Sequence, residues 1–271
     1  YLGKPLFERH KASLEMTEEG LQYANSLSLI FADLKVATDT ISGRRQRGEM
    51  KLTLNLSATF SACWLMNRLV RFEDENPDIA VSFITNSVDI VKEPVVFDDG
   101  KIDAAFRLGT GQWDNCHFDK VLDNYVQPVC APKLIGHRAC SNIRNLENYT
   151  WLHYKHVPNL WDQWLESAGA PGLKSLKKDV IMDNVAVATQ AAVDGVGILP
   201  VYRSLADQLI DDGKIIPAHD HMMKKNESYY FVCPKNYEKQ PAIRVFREWI
   251  VEEAERFNAQ WHKKVGATAL E

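Results

Sequence analysis

"KLTLNLSATFSACWLMNRLVRFEDENPDIAVSFI" occupies residues 51 to 84, and its hydrophobic period changes twice. Leu52, Leu54 and Leu56 alternate, the pattern of a strand with one buried face. From about Phe60 to Glu75 the spacing becomes helical, with Leu65, Leu69 and Phe72 on one face and Pro77 beyond the end. "IAVSFI", residues 79 to 84, returns to strand character. Strand, helix and strand within about 35 residues make a βαβ unit, hence a parallel sheet with a right-handed crossover.

The alternation continues downstream. "IDAAFR" (102 to 107) and "YVQPVC" (125 to 130) read as strands, and "NLWDQWLESAG" (159 to 169) as a helix ending at Gly169. "DVIM" (179 to 182), "NVAVATQAAVDG" (184 to 195) and "VGILP" (196 to 200) make a second βαβ unit. "YYFVC" (229 to 233) is a late strand and "IRVFREWIVEEAERF" (243 to 257) an amphipathic closing helix. Two α/β units joined in this way predict two lobes with a cleft between them.

Upstream, Thr17 to Ser42 reads as one long helix, with Thr17 as N-cap, Glu18 and Glu19 in the positively polarised first turn and Gly43 as terminator. At about 1.5 Å per residue it spans roughly 39 Å. Ala24, Leu27, Phe31, Leu34, Thr38 and Ile41 step by three and four, the spacing of a coiled-coil seam, so the helix calls for a partner helix. An ordinary surface helix lying on its own domain is the alternative. "SGRRQRGEMK" (42 to 51), with two glycines and four cations, reads as a solvated hinge.

Composition bounds the function. The 271 residues are 45% hydrophobic and 25% charged, values of a soluble globular protein of one or two domains. A net charge of -4 means that any nucleic-acid contact is local or carried by residues outside this sequence. The five cysteines are odd in number, scattered and free of any C-x-x-C pair, which points to a reducing cytoplasm and no zinc site. No run reaches the roughly 18 apolar residues of a membrane span.

The turn "SATFS" (57 to 61) is the most informative site. Its hydroxyls stand where a helix start presents unpaired N–H groups and partial positive charge, a place for a carboxylate; simple helix capping is the competing reading. "FDDGKID" (97 to 103) holds Asp98, Asp99 and Asp103, but adjacent acids before glycine are turn formers. His153 and His156 lack the helical face that would let them converge on a metal. The G-x-G of "DGVGILP" (194 to 200) lies between helix and strand, the reverse of a dinucleotide loop. No catalytic constellation emerges, and no cofactor is expected.

Several of these motifs together resemble the LysR-type transcriptional regulators, in the branch containing the glycine-cleavage activator and the β-lactamase regulator. "LGKPLFER" (2 to 9) and "LEMTEEG" (14 to 20) stand where that family's winged helix-turn-helix ends. "TFSACWLMNRL" (59 to 69) matches the branch's turn and W-L-x-P-R-L block, with Asn67 in place of the usual proline. "DAAFRLGTGQW" (103 to 113), "PVCAP" (128 to 132), "WDQWLESAG" and "AAVDGVGILP" match later blocks.

The resemblance implies an α/β fold: a wing remnant (1 to 16), a dimerising linker helix (17 to 43), a hinge (44 to 50), a two-lobe, type II periplasmic-binding-protein-like effector domain (51 to 262) and a tail (263 to 271). Lobe I takes about 51 to 125 and 222 to 262, lobe II about 126 to 221. It implies a small anionic or zwitterionic effector in the interlobe cleft, with Ser57, Thr59, Phe60, Asn86, Arg107, Asn184 and Tyr230 as its candidate contacts. Arg9, His10 and Lys11 would meet DNA phosphate, and Ala24, Leu27, Phe31, Leu34 and Ile41 would form the dimer seam of a homodimer or homotetramer on promoter DNA. The recognition helix is expected just before Tyr1. A solute-binding protein of a transport system, built on the same cleft, is the second reading, and an enzyme on this scaffold the third.

Overall fold

The computed structural model describes residues 3–9, 14–20, eight positions between 23 and 38, 50–86, 97, 101–136, 138–235, 237–238 and 240–265. Gly43, Ile41, His10, Lys11, Asp98, Asp99, most of the hinge and the end of the tail lie outside them, as do the side chains of Arg9 and Asn86.

At the front, β1 (Phe7–Arg9) and β2 (Leu14–Met16) form an antiparallel ribbon. Thr17 then starts α1, whose described positions between 18 and 38 are helical. Its hydroxyl accepts the Gly20 N–H at 2.9 Å and donates to the Pro5 carbonyl at 2.8 Å, so the N-cap also ties the helix to the ribbon.

Lobe I is built on a five-stranded sheet in the order β4-β3-β5-β13-β6. The expected βαβ unit is there: β3 (Met50–Ser57) runs parallel to β4 (Ile79–Asn86) along its whole length. Between them α2 runs through Ala58–Phe60, a π-helical turn Ser61–Leu65, and Met66–Glu75. The strand β5 (Ala104–Gly109) pairs parallel to β3, whereas β13 (Ser228–Pro234) is antiparallel to both β5 and β6 (Cys116–Leu122). Leu52, Leu54 and Leu56 are fully buried, as their alternation requires, in a core shared with α2 and with α7 (Pro241–Val265). Phe60 sits at the centre of that core, its ring 4.7 Å from Phe106 and 4.9 Å from Tyr229. Each such aromatic contributes roughly 1.5–3 kcal/mol by burial alone.

Lobe II is organised around β7 (Tyr125–Cys130), to which β10 (Leu199–Tyr202), β11 (Ile216–Pro217) and β12 (Met223–Lys224) all pair antiparallel. The second βαβ unit is therefore not a simple adjacent pair. The strand β9 (Val180–Met182) pairs parallel with the short β8 (Leu152–Tyr154), a parallel bridge joins Trp151 to Ile198, and β10 then turns to the antiparallel side. Stacked Trp151 and Trp161, 4.1 Å apart, centre this second core with Trp164.

The helices of lobe II are α3 (Pro132–Ile135), α4 (Leu160–Ser167), α5 (Val185–Val193) and α6 (Arg203–Asp211). The chain crosses between lobes at 122–125 and at 224–228, and the Lys225 N–H donates to the Asn124 carbonyl at 2.8 Å, binding the two crossings together. Across the lobe boundary, Leu205 of α6 packs into the lobe I core and Tyr202 packs against both cores.

Candidate functional site

In an open α/β sheet the crevice beyond the carboxyl ends of parallel strands receives the ligand. Here those ends are Ser57 of β3, Asn86 of β4 and Gly109 of β5, and Ser57 and Asn86 are register partners. Ser57 is buried and extended, with φ -72° and ψ 148°, and its hydroxyl accepts the Phe60 N–H at 3.1 Å. It is the N-cap of α2. Capping thus falls to Ser57 and leaves Thr59 half-buried on the first turn, with no hydrogen bond to another described residue.

Phe60 corrects an expectation. Its side chain was expected to face the ligand, but it is fully buried among Trp64, Phe106 and Tyr229. A turn at this position sends every third to fourth side chain inward, and the apolar ring takes the inward place.

The π turn follows directly, its last residues closed by Met66 N–H donating to the Ser61 carbonyl. Such turns insert one extra residue into a helix and recur at functional sites. It leaves Cys63 partly exposed and close enough to the Tyr154 phenol of lobe II to interact with it electrostatically. Tyr154 ends β8, is pushed well above the ordinary phenol range by burial, and has the Tyr202 phenol and the Thr189 hydroxyl as neighbours. Thr189 donates to the Val185 carbonyl at 2.9 Å on α5. Cys63, Tyr154, Thr189 and Tyr202 are thus the residues that meet where the lobes face each other. Tyr154 and Tyr202 are the last residues of β8 and β10, and a strand's carboxyl end is the position an α/β cleft uses.

The remaining expected contacts fall into separate places. Arg107 and Tyr230 are partners across the β5–β13 pair. The Arg107 guanidinium donates to Asn55 Oδ1, to the Phe106 carbonyl at 2.9 Å and to the Asn55 carbonyl at 3.3 Å, which ties β5 to β3. Tyr230 is held edge-on by Trp113 at 5.3 Å and Phe118 at 6.0 Å, its hydroxyl over Gly111. Asn184 stands on the other lobe as the N-cap of α5, accepting from the N–H groups of Ala186 (2.9 Å) and Val187 (3.2 Å). On α1 Ala24 and Leu27 are half-buried, whereas Phe31 and Leu34 are exposed at 62% and 59%.

Of the acidic and histidine clusters, Asp103 and His153 each meet a partner within the fold. Asp103 Oδ2 accepts the Thr53 N–H at 2.6 Å, and burial holds its carboxyl above the usual range. His153 faces Asp179 at 3.4 Å. Among the described residues no group of His, Cys, Asp or Glu is arranged to hold a metal, and no helix is long and apolar enough to cross a membrane.

A helical arm followed by two α/β lobes that face each other across a crevice defines a two-lobed ligand-binding domain of a regulator. Residues 45–255 match the LysR substrate binding domain, and the chain belongs to the LysR family of transcriptional regulators. It is 30% identical over 256 residues to the glycine cleavage system transcriptional activator of Escherichia coli (strain K12), covering 94% of this chain and 81% of that one. It is 27% identical over 261 residues to the HTH-type transcriptional activator AmpR of Pseudomonas aeruginosa, covering 93% and 82%. The effector domain of P. aeruginosa AmpR superposes with a TM-score of 0.65 at 21% identity, covering 79% of this chain and all of that one. CrgA, a LysR-type transcriptional regulator from Neisseria meningitidis, superposes at 0.60 and 20% identity, covering 93% and 85%. The protein is a ligand-responsive transcription regulator, and the transport-receptor reading is set aside.

Proposed function

We propose that the chain binds a small anionic or zwitterionic metabolite at the carboxyl ends of β3 and β4, with Thr59 as the principal contact and Asn86, Arg107, Asn184 and Tyr230 as further ones. The observation that carries this is the division of labour on the first turn of α2: Ser57 caps, so the partly exposed Thr59 hydroxyl beside a helix N-terminus has no hydrogen bond to another described residue. The lobe II face supplies Tyr154, Thr189 and Tyr202, so a ligand between the lobes biases their closure.

The same reading assigns the arm. Exposed Phe31 and Leu34, with Ala24 and Leu27, are the seam through which α1 pairs with a second copy, and Ile41 extends it. The β1–β2 ribbon, with Arg9, His10 and Lys11, touches DNA phosphate in the promoter complex. The work is regulatory rather than enzymatic and is done in the cytoplasm.

The test is a thermal-shift and Trp-fluorescence screen of carboxylate-bearing metabolites, paired with a reporter assay. A binder whose effect vanishes in Thr59→Ala, together with reporter response, is the expected result. A binder and a reporter response both untouched by Thr59→Ala would remove Thr59 from the site.

A further inference from the structure

The lobes are joined by the crossings at 122–125 and 224–228, and unpaired polar groups gather where the lobes meet. Among the described residues eight buried side-chain nitrogen and oxygen atoms have no hydrogen-bond partner. Five of them belong to Asn124, Trp64, Trp261 and Ser204. Asn124 lies in the first crossing. Trp64 of α2, Ser204 of α6 and Trp261 of α7 line one recess of about 220 Å³, of which lobe I forms two walls and lobe II the third.

Asn124 carries both an unpaired donor and an unpaired acceptor. It is 1% exposed, and neither Nδ2 nor Oδ1 has a partner. The chain around it is nevertheless held firmly. The Asn124 carbonyl accepts the Lys225 N–H at 2.8 Å, Asn258 Nδ2 of α7 donates to the Val121 carbonyl at 3.1 Å, and the Tyr125 ring lies 4.9 Å from that of Trp261. The other two buried amide side chains among the described residues use both ends. Asn55 donates to the Ile84 carbonyl at 3.0 Å and accepts from Arg107, and Gln127 donates to the His219 carbonyl at 3.0 Å and accepts from Arg203 Nε at 2.9 Å.

The indoles divide in the same way. Trp151, Trp161 and Trp164 of lobe II each donate to a backbone carbonyl, at 2.9, 3.0 and 3.2 Å. Trp64 and Trp261 at the boundary donate to none. Trp249, packed inside lobe I on Phe72 and Phe246, is the one unpaired buried indole away from it among the described residues.

A folded chain pairs nearly all of its buried polar groups, because one left unpaired has given up its hydration without return. Within a lobe the local packing chooses the partners. At a boundary the lobe angle chooses them, so unmatched groups gathered at hinge and boundary point to a second angle that pairs them. The recess supplies the space: carrying α6 toward α2 and α7 brings the Ser204 hydroxyl, which both donates and accepts, toward two indole donors. We infer that the ligand-free chain has a second lobe arrangement, with this recess collapsed and its indoles bonded, and that the Asn124 carboxamide, bonded there and unbonded here, sets the balance between the two. Both arrangements belong to the chain alone. Because α2 carries Thr59 as well as this wall, a ligand at Thr59 acts by shifting an existing balance, and only this link depends on the proposed ligand site.

The test is fluorine NMR on the ligand-free 271-residue chain carrying fluorotryptophan, with signals assigned by single Trp→Phe variants. Trp64 and Trp261 should each exchange between two environments with one shared rate and population, while Trp164 and Trp249 stay single. Asn124→Leu and Ser204→Ala each remove polar atoms that are unpaired in one arrangement only, so both should deplete the same environment, by about fivefold or more. If Asn124→Leu does not fold, Ser204→Ala decides. A single environment at both Trp64 and Trp261, different populations at the two, equal exchange at Trp249, or an unchanged population in the folded variants would each overturn the inference. Thr59→Ala should leave the exchange as it is while abolishing the ligand response, so the hinge and the proposed ligand site can fail separately.

Discussion

The Ser57 hydroxyl accepts the Phe60 N–H at 3.1 Å, and the chain widens into the π turn at the next residue, Ser61. Ser57 therefore holds the turn in shape, and Thr59, two residues on, is the contact proposed for the ligand. Replacing Ser57 with alanine removes the cap and should lower stability by about 1 kcal/mol. Thr59→Ala, which breaks no bond between described residues, should stay within about 0.5 kcal/mol while abolishing the ligand response. Urea unfolding of both variants, set beside ligand titration, checks the contrast; equal destabilisation by both would refute it.

Gly111 has φ +81°, and a Cβ there would come within 2.8 Å of the Tyr230 hydroxyl. Gly136 has nearly the same φ, +80°, with nothing within 4 Å. The pair separates backbone strain from collision. Gly136→Ala should cost about 1 kcal/mol, and Gly111→Ala should cost clearly more because Tyr230 must leave its place between Trp113 and Phe118. Near-equal unfolding midpoints for the two variants would show that Tyr230 moves freely.

Much of lobe I could be read directly from residues. The Leu52, Leu54, Leu56 alternation and the Leu65, Leu69, Phe72 face gave β3 and α2 because each element buries one face, and burial writes its period into the chain. Lobe II was harder. The strand β8 is three residues long and β11 two, too short for any period, and β10 is buried along most of its length, so nothing in it marks which neighbour it joins. At the candidate site, the half-exposed Thr59 hydroxyl was legible because a hydroxyl at a helix start is a local feature. Cys63, Tyr154 and Tyr202 were not, because only the packing of one lobe on the other brings them together. Phe60 differs from expectation for a related reason: the same turn carries an inward and an outward residue, and the helix phase that separates them is set by Ser57 capping two residues earlier than Thr59 would.

Glu253 is 7% exposed and receives Arg71 and Arg256, with Arg68 at 3.9 Å. A buried carboxylate among three guanidinium groups joins α2 to α7, and removing its charge leaves Arg71 and Arg256 only their exposed partners Glu75 and Glu252. Glu253→Gln should destabilise by about 3 kcal/mol. Glu252→Gln, which loosens only the exposed pair with Arg256, should cost less than about 0.5 kcal/mol. Chemical denaturation reads both, and a cost for Glu253→Gln no larger than for Glu252→Gln would show the cluster to be solvated.

His219 and His221 contribute a response to acid. Nδ1 of His219 accepts the His221 N–H at 3.1 Å, which requires that nitrogen to be unprotonated, while the ring packs edge-on against Trp164 at 5.6 Å. Burial holds both imidazoles below the ordinary 6.5; for His219 the Asp220 charge opposes this, and for His221 the neighbouring His219 adds to it. The sign follows: the folded chain binds fewer protons than the unfolded one, so the contribution is fully present above pH 6.5 and is lost as pH falls through the depressed folded values. Denaturation midpoints measured between pH 7.5 and about pH 5 should fall, with the slope reduced in His219→Gln, whose side-chain oxygen can accept the same N–H without titrating. A midpoint in His219→Gln that tracks the unsubstituted chain at every pH would place the acid response elsewhere.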